Sequence, residues 1–224
     1  MRETPSFSPI GDSGLLVTLA EEPTDAANDR VIALDHAITA AGIAGVAEVI
    51  PALVNLAVQF DPIITDHATI AAAIRDLFPL RQTSETAAKT HVVPVCYDPD
   101  LCPDLTAVAE AKGVSINAVI DAHATARLRV SMYGFAPGYA YLSGLPAPIH
   151  VPRKTAALRD VPQGSVLIAG AQSILTPLTM PTGWNIIGRS PVEVIENGAF
   201  LFEVGDTVTF TRIARGDLPA RLQT

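Results

Sequence analysis

Along the N-terminal part of the chain, apolar and polar residues switch between a two-residue and a roughly 3.6-residue period. Residues 7–10 and 15–19 are apolar-rich runs around Gly11, Asp12, Ser13 and Gly14, a composition that predicts a tight reversal between two strands. From Thr24 onward Ala27, Val31, Leu34 and Ile38 recur at helical spacing, and Gly42 supplies a left-handed stop. Residues 46–50 and 53–60 then read as two strands around Pro51. Asp66 caps a second helix, with Ile70, Ala73, Ile74 and Leu77 on one face. The order strand, strand, helix, strand, strand, helix predicts a small ferredoxin-like α+β layer with both helices on one face of its sheet.

A polar, aperiodic stretch over residues 79–90 reads as a linker, so the pattern predicts an α+β domain over 1–88 and a second domain over 91–224. Beyond it, residues 92–97 predict a strand, and 104–112 and 115–124 two short helices parted by Gly113. After Arg127 the pattern is β. Runs at 129–133, 165–169, 185–187, 192–195, 200–204 and 207–213, separated by Gly and Pro, predict a barrel or closed sandwich.

The chain has 224 residues and a formal charge of −8, which argues against nucleic acid as a partner because phosphate neutralisation needs Lys and Arg. The same test removes a helix-turn-helix reading of the two short helices, since residues 115–123 carry Asp121 and no Lys or Arg. No apolar run is long enough for a membrane helix and the N-terminus lacks the order of a signal peptide, so a cytoplasmic protein is expected. Cys96 and Cys102 show no zinc spacing and the five histidines are scattered, so no metal site is expected.

Charge is unevenly spread. Residues 125–192 hold six cations against the single acid Asp160, giving +5 in a chain whose remainder is −13. This segment either grips a small anionic substrate or pairs with acids from elsewhere. Within it, Arg153 and Lys154 are candidates for holding an anion or a developing oxyanion, and Gln172 adds an amide that both donates and accepts. His123 lies in phase with Ile116, Val119 and Ile120, which fits a core histidine, yet it directly precedes the basic segment. The run YGFAPGYAYLSGLP at 133–146 packs three of the four tyrosines and a phenylalanine into nine uncharged residues. It reads as a ligand-facing loop or as a rigid loop packed on its own rings. Hydrolase elbows, HExxH and phosphate-loop patterns are absent.

The runs YGFAPGYAYLSGL (133–145), VPRK (151–154), RDVPQGSVLIAGAQ (159–172) and GWNIIGR (183–189) resemble the family of bacterial B-type 5-oxoprolinase subunits. That family is also called allophanate hydrolase subunit 1 or the KipI kinase-inhibitor family. The resemblance implies an α+β domain followed by a cyclophilin-like β-barrel, and a component that acts with A-type and C-type partner subunits to convert 5-oxoproline and ATP to glutamate. It implies that the C-type partner carries a related barrel and that ATP is co-substrate of the complex. Because the sequence offers no complete nucleophile or metal constellation and carries an apolar, aromatic loop, the chain alone is expected to be inactive. The other functions it implies are a non-catalytic inhibitor of a sensor histidine kinase and a carboxyltransferase-type component of urea or allophanate metabolism. Positions matching family motifs are His123, Phe135, Pro137, Gly138, Tyr141, Arg153, Arg159, Gln172, Trp184 and Arg189. Of these, Phe135, Pro137, Gly138, Tyr141, Arg159, Trp184 and Arg189 are expected at the substrate, and Arg153, Gln172 and His123 in catalysis, together with Lys154 beside Arg153. Departures cluster where the family has a tyrosine and glycines and this chain has Thr176, Ile174 and Thr182. Restoring tyrosine at Thr176 is expected to raise activity if the family reaction persists, and to do nothing or merely crowd the site if the chain has moved to another substrate or become a binding protein.

Overall fold

The computed structural model describes residues 4–80 and 88–222. The chain divides into two compact units, Met1–Ala87 and Ala88–Thr224. Residues 81–87 of the expected linker lie outside the described residues.

In the first unit, strands β1 (Ser6–Ile10) and β2 (Gly14–Thr18) form the expected hairpin, with Gly11 at φ +56° in its turn. Helix α1 (Asp25–Ala41) begins where the Thr24 hydroxyl accepts the Ala27 N–H and ends at left-handed Gly42. Strands β3 (Val46–Pro51) and β4 (Asn55–Phe60) follow, then α2 (His67–Asp76), which the Asp66 carboxylate caps at Thr69 N. The sheet order is β1-β2-β4-β3, antiparallel throughout. Strand β4 is inserted between β2 and β3, which α1 connects, and this split crossover is the ferredoxin-like arrangement with a permuted start. Leu15 and Val17 of β2, Leu56, Val58 and Phe60 of β4, and Val31, Leu34, Ile38, Ile70 and Ile74 of the helices share one buried cluster. Both helices therefore cover one face. On α2 that face uses Ala71 rather than Ala73.

The second unit opens with β5 (Thr90–Cys96), α3 (Leu105–Lys112) and α4 (Ile116–Ala124). It continues through β6 (Leu128–Tyr133), β7 (Ala140–Ser143), β8 (Leu158–Val161), β9 (Ser165–Ala169) and β10 (Gln172–Leu175). The last strands are β11 (Met180–Thr182), β12 (Asn185–Arg189), β13 (Ile195–Glu196), β14 (Ala199–Phe200) and β15 (Thr207–Ile213). Seven of these close a barrel in the order β10-β7-β6-β15-β5-β12-β9, in which only β15 and β5 run parallel. Closure removes free edges.

The expectation differs from the structure in detail. Strands expected at 192–195 and 200–204 are instead the short β13–β14 hairpin, turned by Asn197 and Gly198 at φ +50° and +80°. Strand β7 emerges from the run read as a loop, and β8, β10 and β11 from stretches to which the pattern assigned no element. Strand β9 is buried on both sides: Val166 and Ile168 join the main core, whereas Leu167 and Ala169 join a second cluster with Tyr139, Ile174, Met180 and Trp184. No described helix is long and apolar enough to cross a membrane.

Candidate functional site

The aromatic run bridges β6 and β7. Its turn is closed by Gly134 N–H to Tyr139 O (3.2 Å) and Tyr139 N–H to Ala136 O (3.1 Å). Gly138 sits at φ +72°, where a Cβ would lie 2.7 Å from Ile195 Cγ1, so glycine is required. Phe135 also has positive φ, +69°, and its side chain is held out, 69% exposed. A bulky residue in this conformation is strained, and such strain concentrates at working surfaces.

From Phe135 the rings run inward as a ladder. Phe135 meets Tyr139 at 5.2 Å between centroids, Tyr139 meets Tyr141 at 5.2 Å, and Tyr141 meets Trp184 at 5.9 Å, each edge to face. The Arg153 guanidinium lies 5.5 Å over the Trp184 ring. Burial and the neighbouring Tyr141 push the Tyr139 phenol up to about 12, against a hydrogen bond with Thr182 and the Arg153 charge. Burial also raises Tyr141, again opposed by Arg153. Both phenols therefore stay protonated at neutral pH.

Strand register extends the face. Arg129 of β6, Ser143 of β7, Gln172 of β10 and Ala169 of β9 are successive cross-strand partners in one row. Tyr141, two residues before Ser143, shares their side of the sheet. That side is the outer one, because Gln172 alternates with Ile174 of the second cluster while Ser173 and Leu175 face inward. The Ser131 hydroxyl donates to Tyr141 O at 3.0 Å and lies 2.9 Å from Ser143 Oγ. Gln172 Nε2 is enclosed without an acceptor. Sequence reasoning counted Arg129 only as charge and missed Ser131 and Ser143. The alternation over 140–143 that marks β7 would have found Ser143.

The structure brings Arg153, Phe135, Tyr141, Trp184 and Gln172 onto this face, with Pro137 and Gly138 in the supporting turn. Other expected site residues lie apart from it. Lys154 Nζ is 2.6 Å from Asp104 Oδ2, which also accepts the Ile186 N–H at 2.7 Å. Its charge is thus spent on the carboxylate that ties the start of α3 to β12, the pairing alternative for this cation.

His123 is fully enclosed on the inner side of β10, stacked 4.2 Å from Phe210. The Ser173 hydroxyl spends its proton on Leu167 O, so His123 Nε2 donates to Ser173 Oγ (3.2 Å) and Nδ1 accepts from the Tyr97 hydroxyl (2.7 Å). Burial lowers its pKa to about 3, so it is a neutral, satisfied core histidine. Arg159 is exposed on β8, and Arg189 is buried at the far end of β12.

The departures from the family pattern are structural. Thr176 is completely buried. Its hydroxyl accepts Ser165 N–H (2.8 Å) and donates to Pro162 O (2.8 Å), so a tyrosine there would overpack the turn instead of restoring a substrate contact. Of the two expected outcomes, the enclosed hydroxyl favours crowding. Ile174 fills the second cluster, and Thr182 Oγ1 accepts the Trp184 N–H at 3.1 Å. Among the described residues no group of three His, Cys, Asp or Glu is placed to hold a metal.

The model of the carboxyltransferase domain, subdomain C and D, matches residues 5–199. The chain is 32% identical to the B-type 5-oxoprolinase subunit of Bacillus subtilis (strain 168), covering 94% of each protein. It is 31% identical to the B-type 5-oxoprolinase subunit of Escherichia coli O157:H7, covering 90% of this chain and 93% of that one. Among solved structures, TTHA0988 superposes with a TM-score of 0.80 at 30% identity over 90% of this chain, which spans only 40% of that longer polypeptide. The Kluyveromyces lactis urea carboxylase shares the fold, with a TM-score of 0.80 at 16% identity over 96% of this chain and 22% of its own. The chain belongs to the carboxyltransferase-domain family, subdomains C and D, that includes the bacterial B-type 5-oxoprolinase subunits.

Proposed function

We propose that this protein is the B-type component of an ATP-dependent hydrolase that opens 5-oxoproline or a similar small cyclic amide, acting with C-type and A-type partner subunits. The observation that carries this reading is the end-to-end match, 94% of each chain, to a B-type 5-oxoprolinase subunit. The chemistry of the aromatic face agrees with it. A lactam carbonyl is a poor electrophile. Moving the ATP γ-phosphoryl onto its oxygen, with ADP leaving, activates the carbon to water; the ring C–N bond then breaks, and water releases phosphate from the resulting acyl phosphate. The reaction therefore calls for cations and hydrogen-bond donors around the transferred phosphoryl oxygens. Arg153 supplies the cation and the Trp184 and Tyr141 rings a flat apolar wall. The protonated tyrosines and the Gln172 amide supply donors. Nothing on this face is a nucleophile activated by an adjacent base, so the remaining machinery belongs to the partner subunits.

The test is co-expression with the candidate A-type and C-type partners and an assay of 5-oxoproline-dependent ATP hydrolysis. The complex is expected to turn over and the isolated chain to be inactive. Arg153→Ala is expected to lower kcat/KM of the complex by about 10–100-fold, the range for losing one charge-assisted hydrogen bond. An isolated chain that hydrolyses 5-oxoproline, or a complex indifferent to Arg153, would overturn the reading.

A further inference from the structure

Strands β6 and β7 meet on the outer face through a bulge. Arg129 and Val130 pair with Ser143 and Leu142, but Tyr141 pairs with Met132, so Ser131 is the extra residue. A bulge re-aims the side chain it inserts. Ser131, only 2% exposed, is turned toward the Tyr141 carbonyl and donates its hydroxyl proton there at 3.0 Å. That bond decides the next one. Ser143 Oγ lies 2.9 Å from Ser131 Oγ, and a hydroxyl has a single proton to give. With the Ser131 proton spent on Tyr141 O, the Ser143 proton points inward to Ser131 Oγ. The bonds therefore run in one direction, from Ser143 to Ser131 to the Tyr141 carbonyl, and Ser143 offers only lone pairs outward. Ser143 is partly exposed, and among the described residues its hydroxyl has no partner besides Ser131. Its neighbour across the next strand pair, Gln172, does not fill those lone pairs, because the Gln172 amide nitrogen has no acceptor.

We propose, on the reading that a small cyclic amide binds the aromatic face, that Ser143 is a specificity-determining acceptor for the ring N–H of that amide and Ser131 its positioning residue. Arg153 and the protonated Tyr141 phenol can donate, which suits the carbonyl and carboxylate of 5-oxoproline, groups that only accept. The ring N–H is the single donor of that molecule at neutral pH. A group that can only accept is what tells it from a ring of the same shape with a methylene or an oxygen in that place, since neither gives the lone pairs a proton. Ser143 is placed for the task. It lies two residues from Tyr141 on the same side of β7, about 7 Å along the strand, so a ring resting on Tyr141 has Ser143 toward its edge.

Trp184 is the one tryptophan of the chain and walls this face, so fluorotryptophan built into the full-length chain gives a single fluorine resonance at the site. That resonance is titrated without ATP, in the chain alone and in its complex with unlabelled A-type and C-type partners. The two probes are 5-oxoproline and its carbocyclic analogue, in which a methylene replaces the ring N–H. The wild type is expected to bind 5-oxoproline about 3–10-fold more tightly than the analogue, the range for one hydrogen bond. Ser143→Ala is expected to bring this ratio to about one, and Ser143→Thr, which keeps the hydroxyl, to preserve it. In Ser131→Ala the Ser143 hydroxyl can turn outward and donate, so the ratio falls although Ser143 is untouched; a merely structural role for Ser131 would weaken both probes equally. A wild type that binds the two probes alike, or a ratio that survives Ser143→Ala, overturns the proposal even if the complex hydrolyses 5-oxoproline. A ratio that depends on Ser143 in a complex without 5-oxoproline-dependent ATP hydrolysis supports the proposal and overturns the reaction instead. A resonance that answers neither probe, in the chain or in the complex, overturns the face as a site for cyclic amides and Ser143 with it.

Discussion

Single side chains in the barrel separate packing from chemistry. His123 is neutral and enclosed in the native state down to about pH 3, whereas in the unfolded chain an ordinary histidine takes up a proton near 6.5. Between those values only the unfolded form gains the proton, so acidification favours unfolding, and above pH 6.5 the effect vanishes. Wild type is therefore expected to lose about 2 kcal/mol between pH 7 and pH 5 that His123→Leu does not lose, as read from urea unfolding at the two pH values. If the two slopes coincide, the histidine is not held neutral. Phe135 is the opposite case, exposed and strained at φ +69°. Phe135→Gly relieves the strain and forfeits little packing, so the Tm should hold or rise by the equivalent of about 1 kcal/mol. A clear fall in Tm would show that the ring supports the fold.

At the scale of elements, the start of α3 is fastened to β12 by one carboxylate serving two donors. Asp104→Ala strands the Ile186 N–H and the Lys154 ammonium together and is expected to cost about 2–3 kcal/mol. Lys154→Met leaves the bond from Ile186 intact and is expected to cost about 1 kcal/mol or less, since the pair is partly open to solvent. Equal losses in thermal unfolding would contradict this division.

Three of the four α-helices were legible from their N-caps, since Thr24, Asp66 and Ser115 all make the cap bonds their positions imply, and α3, whose Asp104 makes no such bond, from the left-handed Gly113 at its end. The four-residue strands β7 and β10 were not: the alternation of β7 spans only four residues inside a tyrosine-rich run bounded by glycines, and β10 is buried on both of its sides, so no alternation survives there to be read. For the same reason the aromatic and cationic members of the outer face were visible as residue types, while their convergence depended on the Arg129–Ser143–Gln172 register that only the closed sheet defines. Lys154 and Thr176 misled in a common way: their partners, Asp104 and the 162–165 turn, are remote in sequence.

For the whole molecule, the separation of the cores leads to an expectation about folding. One buried cluster gathers members from β2, Leu19 just beyond it, β4, α1 and α2, and the other two draw only on residues beyond 92. The second unit has a closed barrel, two helices on its core and no free barrel edge, which are the conditions for folding alone. The first unit ends its sheet in two edges, β1 and β3, of which β1 carries Pro9, a residue that cannot donate to a neighbouring strand. A fragment covering residues 88–224 is therefore expected to fold cooperatively, with the near-ultraviolet circular dichroism of a packed aromatic core. In the full chain, Leu34→Ala empties a site in α1 that is completely buried and should cost its own unit about 2–5 kcal/mol. Followed by hydrogen exchange, the loss should appear in the amides of β2, β4 and α1 and leave those of β5, β9 and β15 as slow as in the wild type. If instead protection falls in the barrel strands by the same factor, the two units unfold as one cooperative body, and their separate cores do not make separate folding units.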